Sequence, residues 1–204
     1  MKTVCIVGNS RNLLSQELGN KIDSCDDVIR IQKFKREGFE KHVGSKITVA
    51  SLSWKDVPQM RDFIEYGNID INSVELWAPH KLEGERLHTA MSILGHANIF
   101  AASRETYSSV VRELYSNFWT KKPSTGIMTI VLALQKFHDR KIYICGFDST
   151  IEKDHYYDPN HIDRLPPGMT VSGHNWEKEW EYIQKLIDLK KMYDINSKDE
   201  ISEN

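Results

Sequence analysis

The chain has 204 residues, 40% of them apolar and 27% charged, with a formal net charge of −2. That length supports one sizeable core and is short for two ordinary domains. The near-neutral balance argues against a nucleic-acid partner, and no apolar run is long enough to cross a bilayer. Met1-Lys2-Thr3 passes into a strand-like run, unlike the longer apolar stretch of a secretory signal. Cys5, Cys25 and Cys145 are odd in number and form no C-x-x-C pair. Buried free thiols in a reducing compartment are expected, rather than a disulfide framework or a zinc cage.

Residues 3–7 are mostly apolar, the pattern of a strand buried on both faces. Gly8-Asn9-Ser10 breaks the run. Leu13, Leu14 and Leu18 then follow at helical spacing until Gly19-Asn20, which reads as a helix stop. Strands are expected at 28–31, 47–50 and 74–78, the last closed by Pro79. A helix around 83–94, a short strand at 98–100 and a helix around 105–117 come next. The clearest helix runs from Ser124 to Phe137, with Ile127, Ile130, Val131 and Leu134 at three- and four-residue intervals. Residues 142–145 form another strand, ended by Gly146-Phe147. Residues 148–171 lack periodicity and hold Pro159, Pro166, Pro167 and Gly168, so they read as a long loop over a site. The last helix is expected from about His174 to Met192, with Trp176, Trp180, Ile183 and Ile187 on one core-facing stripe.

Strands alternating with helices predict an α/β fold: one domain over 1–195, then a polar tail at 196–204. Its sheet is expected to be open, mainly parallel and Rossmann-like, with helices on both faces. Such sheets bind ligands beyond the carboxyl ends of their strands. Gly8-Asn9-Ser10 and Gly146-Phe147-Asp148 follow strands at that edge. Ser124-Thr125-Gly126 instead opens a helix that leads into a strand. It reaches the same cleft only if the preceding loop carries it there.

Four short stretches carry candidate chemistry. Gly8 permits a close backbone approach, and Asn9 and Ser10 offer an amide and a hydroxyl at a helix start, where N–H groups favour anions. The same residues are favoured helix caps. Ser124, Thr125 and Gly126 pose the same choice between anion cradle and cap. His155 sits in an aromatic, polar loop with Tyr156. It is either a cation for a leaving phosphate or a surface histidine, and its spacing to Asp154 and Asp158 matches no standard metal motif. His174 opens a helix, where the positive end favours neutral imidazole and hence a general base; capping is the alternative. Glu179, five residues on, is off that face and suits a bracing role. The remaining histidines, His80 among them, read as structural or solvent-facing.

Taken in order, these residues resemble glycosyltransferase family 29, the eukaryotic-type sialyltransferases. Cys5-Ile6-Val7-Gly8-Asn9-Ser10 through Ile22-Asp23-Ser24 and Val28-Ile29-Arg30 is similar to the large sialyl motif, followed by Val43-Gly44-Ser45-Lys46 and Thr48. Pro123-Ser124-Thr125-Gly126 through Leu132-Ala133-Leu134 and Gly146-Phe147 resembles the small motif. His155-Tyr156-Tyr157 resembles the third, and His174 with Glu179 reproduces the His-x4-Glu pattern of the fourth. The resemblance implies a metal-independent, GT-A-like domain that uses a CMP-activated sugar, with no cofactor beyond that donor. It implies nucleotide contacts at Gly8, Asn9, Ser10, Gln32, Ser124, Thr125, Gly126, Gly146, Phe147 and Tyr156, with Arg30 and Glu179 in support. His155 would face the departing phosphate, and His174 would deprotonate a glycan or glycolipid acceptor for inverting transfer.

Two departures stand out. Gln32 follows Arg30-Ile31 where the family commonly has Asn. Cys5 is one place closer to the glycine than usual and the matching small-motif position falls near Phe137, so the family's disulfide is not expected. A sialic-acid-type donor is the first expectation. A CMP-Kdo-dependent transferase, a CMP-sugar hydrolase and a non-catalytic nucleotide-binding module are the alternatives. The absence of an anchor suggests a bacterial or viral cytoplasmic enzyme, with peripheral contact at the inner membrane face compatible with a glycolipid acceptor.

Overall fold

Val4, Cys5, Ile6 and Val7 point alternately to opposite faces of strand β1 (Thr3–Val7) and are all buried, as a central parallel strand requires. The computed structural model describes residues 1–53, 57–80, 94, 99–115, 122–148, 155–158 and 174–197. The other strands are β2 (Asp27–Ile31), β3 (Val49–Ser51), β4 (Glu75–Ala78), β5 (Ile99–Ala101), β6 (Lys141–Cys145) and β7 (Tyr193–Asp194). Among the described residues they form one seven-stranded sheet in the order β5-β4-β3-β2-β1-β6-β7. Every neighbouring pair is parallel. The chain steps outward from β1 to β5, then returns to the other side of β1 as β6. The topological switch therefore lies between the carboxyl ends of β1 and β6, the place where open α/β sheets hold ligands.

Helices cover both faces. Helices α1 (Gly19–Asp23), α2 (Glu40–Val43) and α3 (Val57–Tyr66) lie on one side. There Cys5, Val7, Val28 and Cys145 pack with Leu13, Ile22 and Val43, and Ala50 and Leu76 pack with Met60. Helices α4 (Arg104–Leu114), α5 (Thr125–Lys136) and α6 (Trp176–Asp188) cover the other. There Val4, Ile6, Ile29 and Trp77 pack with Val111, Ile130 and Ile183. Helix α5 is buried along most of its length, which explains its nearly continuous apolar sequence.

The sheet and helices on both faces match the expected fold class, but several boundaries do not. The segment after Ser10 is a 3₁₀ turn at Arg11–Ser15, and Gly19 starts α1 rather than stopping a helix. A side chain at Gly19 would place Cβ 2.0 Å from the Glu40 carbonyl oxygen, so glycine lets α1 approach α2. The last helix ends at Asp188, not Met192; Lys190 has a positive φ of 53° and turns the chain into β7. Asn196 and Ser197 close a second 3₁₀ turn, and the rest of the expected tail lies outside the described residues. So do most of the helix expected at 83–94 and most of the long loop expected at 148–171.

Candidate active site at the sheet switch point

The exits of β1 and β6 are locked together. Gly8 N–H donates to the Cys145 carbonyl at 2.8 Å and Ser10 N–H to the Gly146 carbonyl at 3.0 Å. A Cβ on Gly8 would lie 2.2 Å from the Gly146 oxygen, and Gly146 itself has a φ of 72°. Both positions therefore demand glycine for close packing of the two turns. Asn9 donates its side-chain amide to the carbonyls of Ile31 at 2.9 Å and Lys33 at 3.1 Å, tying the β1 exit to the β2 exit. The Ser10 hydroxyl accepts from Asn12 N–H at 3.1 Å and donates to the Asp148 carboxylate. Ser10 is thus a cap and a link to the β6 exit at once.

Gln32 follows β2 with a φ of 57°, a region that non-glycine residues seldom occupy. Its Oε1 accepts from Ser53 N–H at 2.9 Å, which fixes the amide orientation and leaves Nε2 to donate to Thr125 Oγ1 at 2.9 Å. Arg30 does not reach this edge. It is 1% exposed, donates from Nε to Lys46 O and from Nη2 to Val43 O, and so braces the 43–46 loop from beneath. Burial lowers its pKa from the ordinary guanidinium value.

Helix α5 begins at the same edge, as its bond to Gln32 requires. Of the N–H groups that open the helix, that of Ser124 donates to Glu179 Oε1 at 2.8 Å and that of Ile127 to Ser124 Oγ at 3.2 Å. Those of Thr125 and Gly126 have no partner among the described residues, and orphan N–H groups at a helix start favour anions. Gly126 faces Phe147, whose ring would be 3.0 Å from an added Cβ.

The 155–158 segment is laced onto the first turn. His155 pairs with Ser10 in an antiparallel bridge, and Tyr156 N–H donates to Asn9 O at 3.1 Å. Tyr156 is 2% exposed; its hydroxyl donates to Lys35 O and accepts from Lys35 N–H at 3.1 Å. Burial pushes that hydroxyl up to about 12, so it stays protonated and holds the loop. The His155 ring stacks on Tyr157, centroids 5.2 Å apart.

His174 bonds through Nδ1 to Lys122 O at 2.7 Å. A carbonyl only accepts, so in neutral His174 Nδ1 carries the proton and Nε2 the basic lone pair. Its ring meets the edge of Trp176 at 5.1 Å. Glu179 is 3% exposed, and the same Oε1 that accepts from Ser124 also accepts from the Tyr115 hydroxyl at 2.8 Å. That hydroxyl also lies 3.2 Å from Lys122 O, the carbonyl that orients His174. Burial and the Glu179 charge push Tyr115 well above the usual phenol range. One carboxylate in the first turn of α6 therefore joins the start of α5 to the end of α4. Glu179 is buried within this hydrogen-bond network rather than solvated.

The sequence matches glycosyltransferase family 29 (sialyltransferase) over residues 1–191. The chain belongs to that family. Among its relatives, the CMP-N-acetylneuraminate-beta-galactosamide-alpha-2,3-sialyltransferase 1 of Homo sapiens is 26% identical over 161 residues, covering 76% of this chain and 47% of the relative. The CMP-N-acetylneuraminate-beta-1,4-galactoside alpha-2,3-sialyltransferase of Rattus norvegicus is 24% identical over 220 residues, covering 94% and 57%. The chain thus spans about half the length of these curated relatives. Two crystal structures of a mammalian sialyltransferase, one in complex with Gal-beta-1-3GalNAc-ortho-nitrophenol, superpose with TM-scores of 0.63 and 0.64 at 20% identity. Each alignment covers 95% of this chain and 68% of the other, and shows the same fold.

Within this family 29 chain, Asn9, Gln32, Ser124, Thr125 and Gly126 lie along one edge, with Gln32 bonded directly to Thr125. His155 joins them from the Ser10 side and His174 from the Lys122 side. Gly8, Gly146 and Phe147 form the packed floor, while Arg30 and Tyr156 lie beneath it. Among the described residues no three His, Cys, Asp or Glu side chains come together as donors for a metal, and no helix is long and apolar enough to cross a membrane. The cysteines are buried free thiols, with Cys5 and Cys145 sulfurs 4.0 Å apart. Tyr115 and His80 escaped the sequence reading, and Asp148 was placed at this edge without a role. His80 carried a usable signal, because it follows Pro79 just beyond β4, on the ligand-binding edge.

Proposed function

We propose that the protein is an inverting glycosyltransferase that moves a sialic-acid-type sugar from a CMP-activated donor to a glycan hydroxyl. The observation that carries this reading is the pairing of His174 Nδ1 with Lys122 O beside the α5 start. It sets a basic nitrogen next to a cradle of N–H and hydroxyl groups, the two parts a base-assisted displacement from a phosphate requires. Family membership, and relatives that are CMP-N-acetylneuraminate sialyltransferases, support the donor class.

In this mechanism His174 Nε2 takes the acceptor hydroxyl proton as that oxygen attacks the anomeric carbon. The carbon–oxygen bond to the CMP phosphate breaks, and the electron pair leaves with the phosphate. The Thr125 and Gly126 N–H groups, the Thr125 hydroxyl and His155 offset the charge that develops there. Asn9 acts by fixing the turns, since both of its amide N–H groups are spent on Ile31 and Lys33, while Gln32 directs one of its two to Thr125. Tyr156 and Arg30 support from below.

A thermal-shift panel with CMP, UMP, UDP and GDP tests the donor class. Stabilisation by CMP above the others is expected, and preference for UDP or GDP refutes the reading. Turnover of CMP-sialic acid against CMP-Kdo, with and without a galactosyl-terminated acceptor, then distinguishes the sugar and separates transfer from hydrolysis.

A further inference from the structure

Thr125 Oγ1 is contacted from two sides. Gln32 Nε2 lies 2.9 Å away and can only donate, because Oε1 of the same amide accepts from Ser53 N–H. His80 Nε2 lies 3.2 Å away on the other side, carried there by the end of β4. With Gln32 filling one lone pair, the hydroxyl has one lone pair and one proton left. Which of these His80 takes decides what Thr125 presents to a ligand. Phosphate oxygens of a nucleotide accept and do not donate.

We propose that His80 is a positioning residue of the donor site: as the Nε2–H tautomer it donates to Thr125 Oγ1 together with Gln32. With both lone pairs filled, the hydroxyl proton points outward to the CMP moiety, beside the Thr125 and Gly126 N–H groups. This rests on reading the cleft as a CMP-donor site. The imidazole is neutral at working pH, since burial, helped by the neighbouring Lys122 ammonium, pushes it down to about 4. Its ring also packs edge-on against Tyr107 at 6.0 Å, so the polar role must be separated from packing.

Calorimetric titration with CMP makes that separation. His80→Phe keeps an aromatic ring against Tyr107 and removes the donor; it should weaken CMP binding about tenfold, the scale of one hydrogen bond to a charged ligand. His80→Gln, whose amide nitrogen can stand in for Nε2–H, should remain within about threefold of wild type by the same reasoning. The double variant His80→Phe with Thr125→Val should bind no more weakly than Thr125→Val alone. Long-range nitrogen–proton NMR of the ligand-free protein should show His80 protonated on Nε2. Should His80→Phe fail to fold, His80→Asn, whose amide is too short to reach Thr125, replaces it. Unchanged binding by the donor-less variant, additive losses in the double variant, or an Nδ1–H tautomer overturns the proposal. If wild type does not bind CMP, the donor reading and the ligand assigned here fall together. If wild type binds and the donor-less variant matches it, only the role of His80 falls.

Discussion

Replacing Glu179 with Ala should be among the most damaging polar substitutions in the chain. Its Oε1 accepts from Ser124 N–H and from the Tyr115 hydroxyl, each at 2.8 Å, in a setting 3% exposed to solvent. Hydrogen bonds to a charged acceptor contribute about 1.5–3 kcal/mol each, which sets an upper range of about 3–6 kcal/mol for the pair. Relief from burying a charge offsets part of this, so a loss of about 3–4 kcal/mol is expected for Glu179→Ala. Glu179→Gln keeps an acceptor at the same reach and should cost about 1–2 kcal/mol. Urea unfolding followed by circular dichroism measures both, with an unchanged slope as the check that only stability moved. Tyr115→Phe in a double-mutant cycle should show coupling of about 1 kcal/mol or more with Glu179→Ala. A loss below about 1 kcal/mol for Glu179→Ala, or additive behaviour with Tyr115→Phe, refutes the bracing network as drawn.

His174→Ala should reduce kcat by about two to four powers of ten while CMP affinity stays near wild type; full transfer activity would remove the base assignment. Gly8→Ala drives a Cβ into the Gly146 carbonyl at 2.2 Å and should cost about 3 kcal/mol or more, read as a drop in the urea midpoint. The pH dependence of stability should carry a His80 signature. Its folded pKa, about 4, lies below the ordinary imidazole value of 6.5, so the native state disfavours the proton. Above pH 6.5 the group contributes nothing; as pH falls towards 4 the unfolded chain gains a proton that the native one refuses, and stability falls. At about 1.4 kcal/mol per pH unit the ceiling is about 3 kcal/mol, and partial exposure lowers it to about 1–2. The difference between wild type and His80→Phe across that window isolates it, and parallel curves would refute it.

The strands were legible because burial on both faces writes a run of apolar residues that no other element at that length requires. Val4 to Val7 and Ile142 to Cys145 are such runs, and the structure pairs them directly. Helix α5 was legible through its Ser124 cap and apolar length. Helices α1 and α2 were not: at five and four residues they hold one buried side chain each, Ile22 and Val43, too few for a period to appear. Helix α3 buries one narrow stripe around Met60, and β7 is two residues long. Gly19 misled for a physical reason, since a glycine needed for helix–helix approach looks the same in sequence as one that ends a helix. In sequence alone, the approach of Ser124-Thr125-Gly126 to the cleft depends on the path of the preceding loop. The parallel crossover resolves it: a helix that leads into a parallel strand starts at the carboxyl edge, where the strands before it end.

Ser10, Ser124 and Asn9 read in sequence as caps or as ligand contacts, and their hydrogen bonds are capping and bracing ones. Ser124 does cap α5, and by taking Ile127 N–H while Glu179 takes its own, it leaves Thr125 and Gly126 as the N–H groups turned to the cleft. Asn9 spends its amide on the carbonyls of Ile31 and Lys33, the two neighbours of Gln32, whose own amide meets Thr125. The side chains that the motifs specify are therefore largely consumed in aligning one another. What they align is a small number of backbone donors, one hydroxyl and two histidines. Substitutions that preserve a contact atom but loosen its partner, such as Gln32→Leu acting on Thr125, should for that reason weaken CMP binding as much as loss of the Thr125 hydroxyl itself.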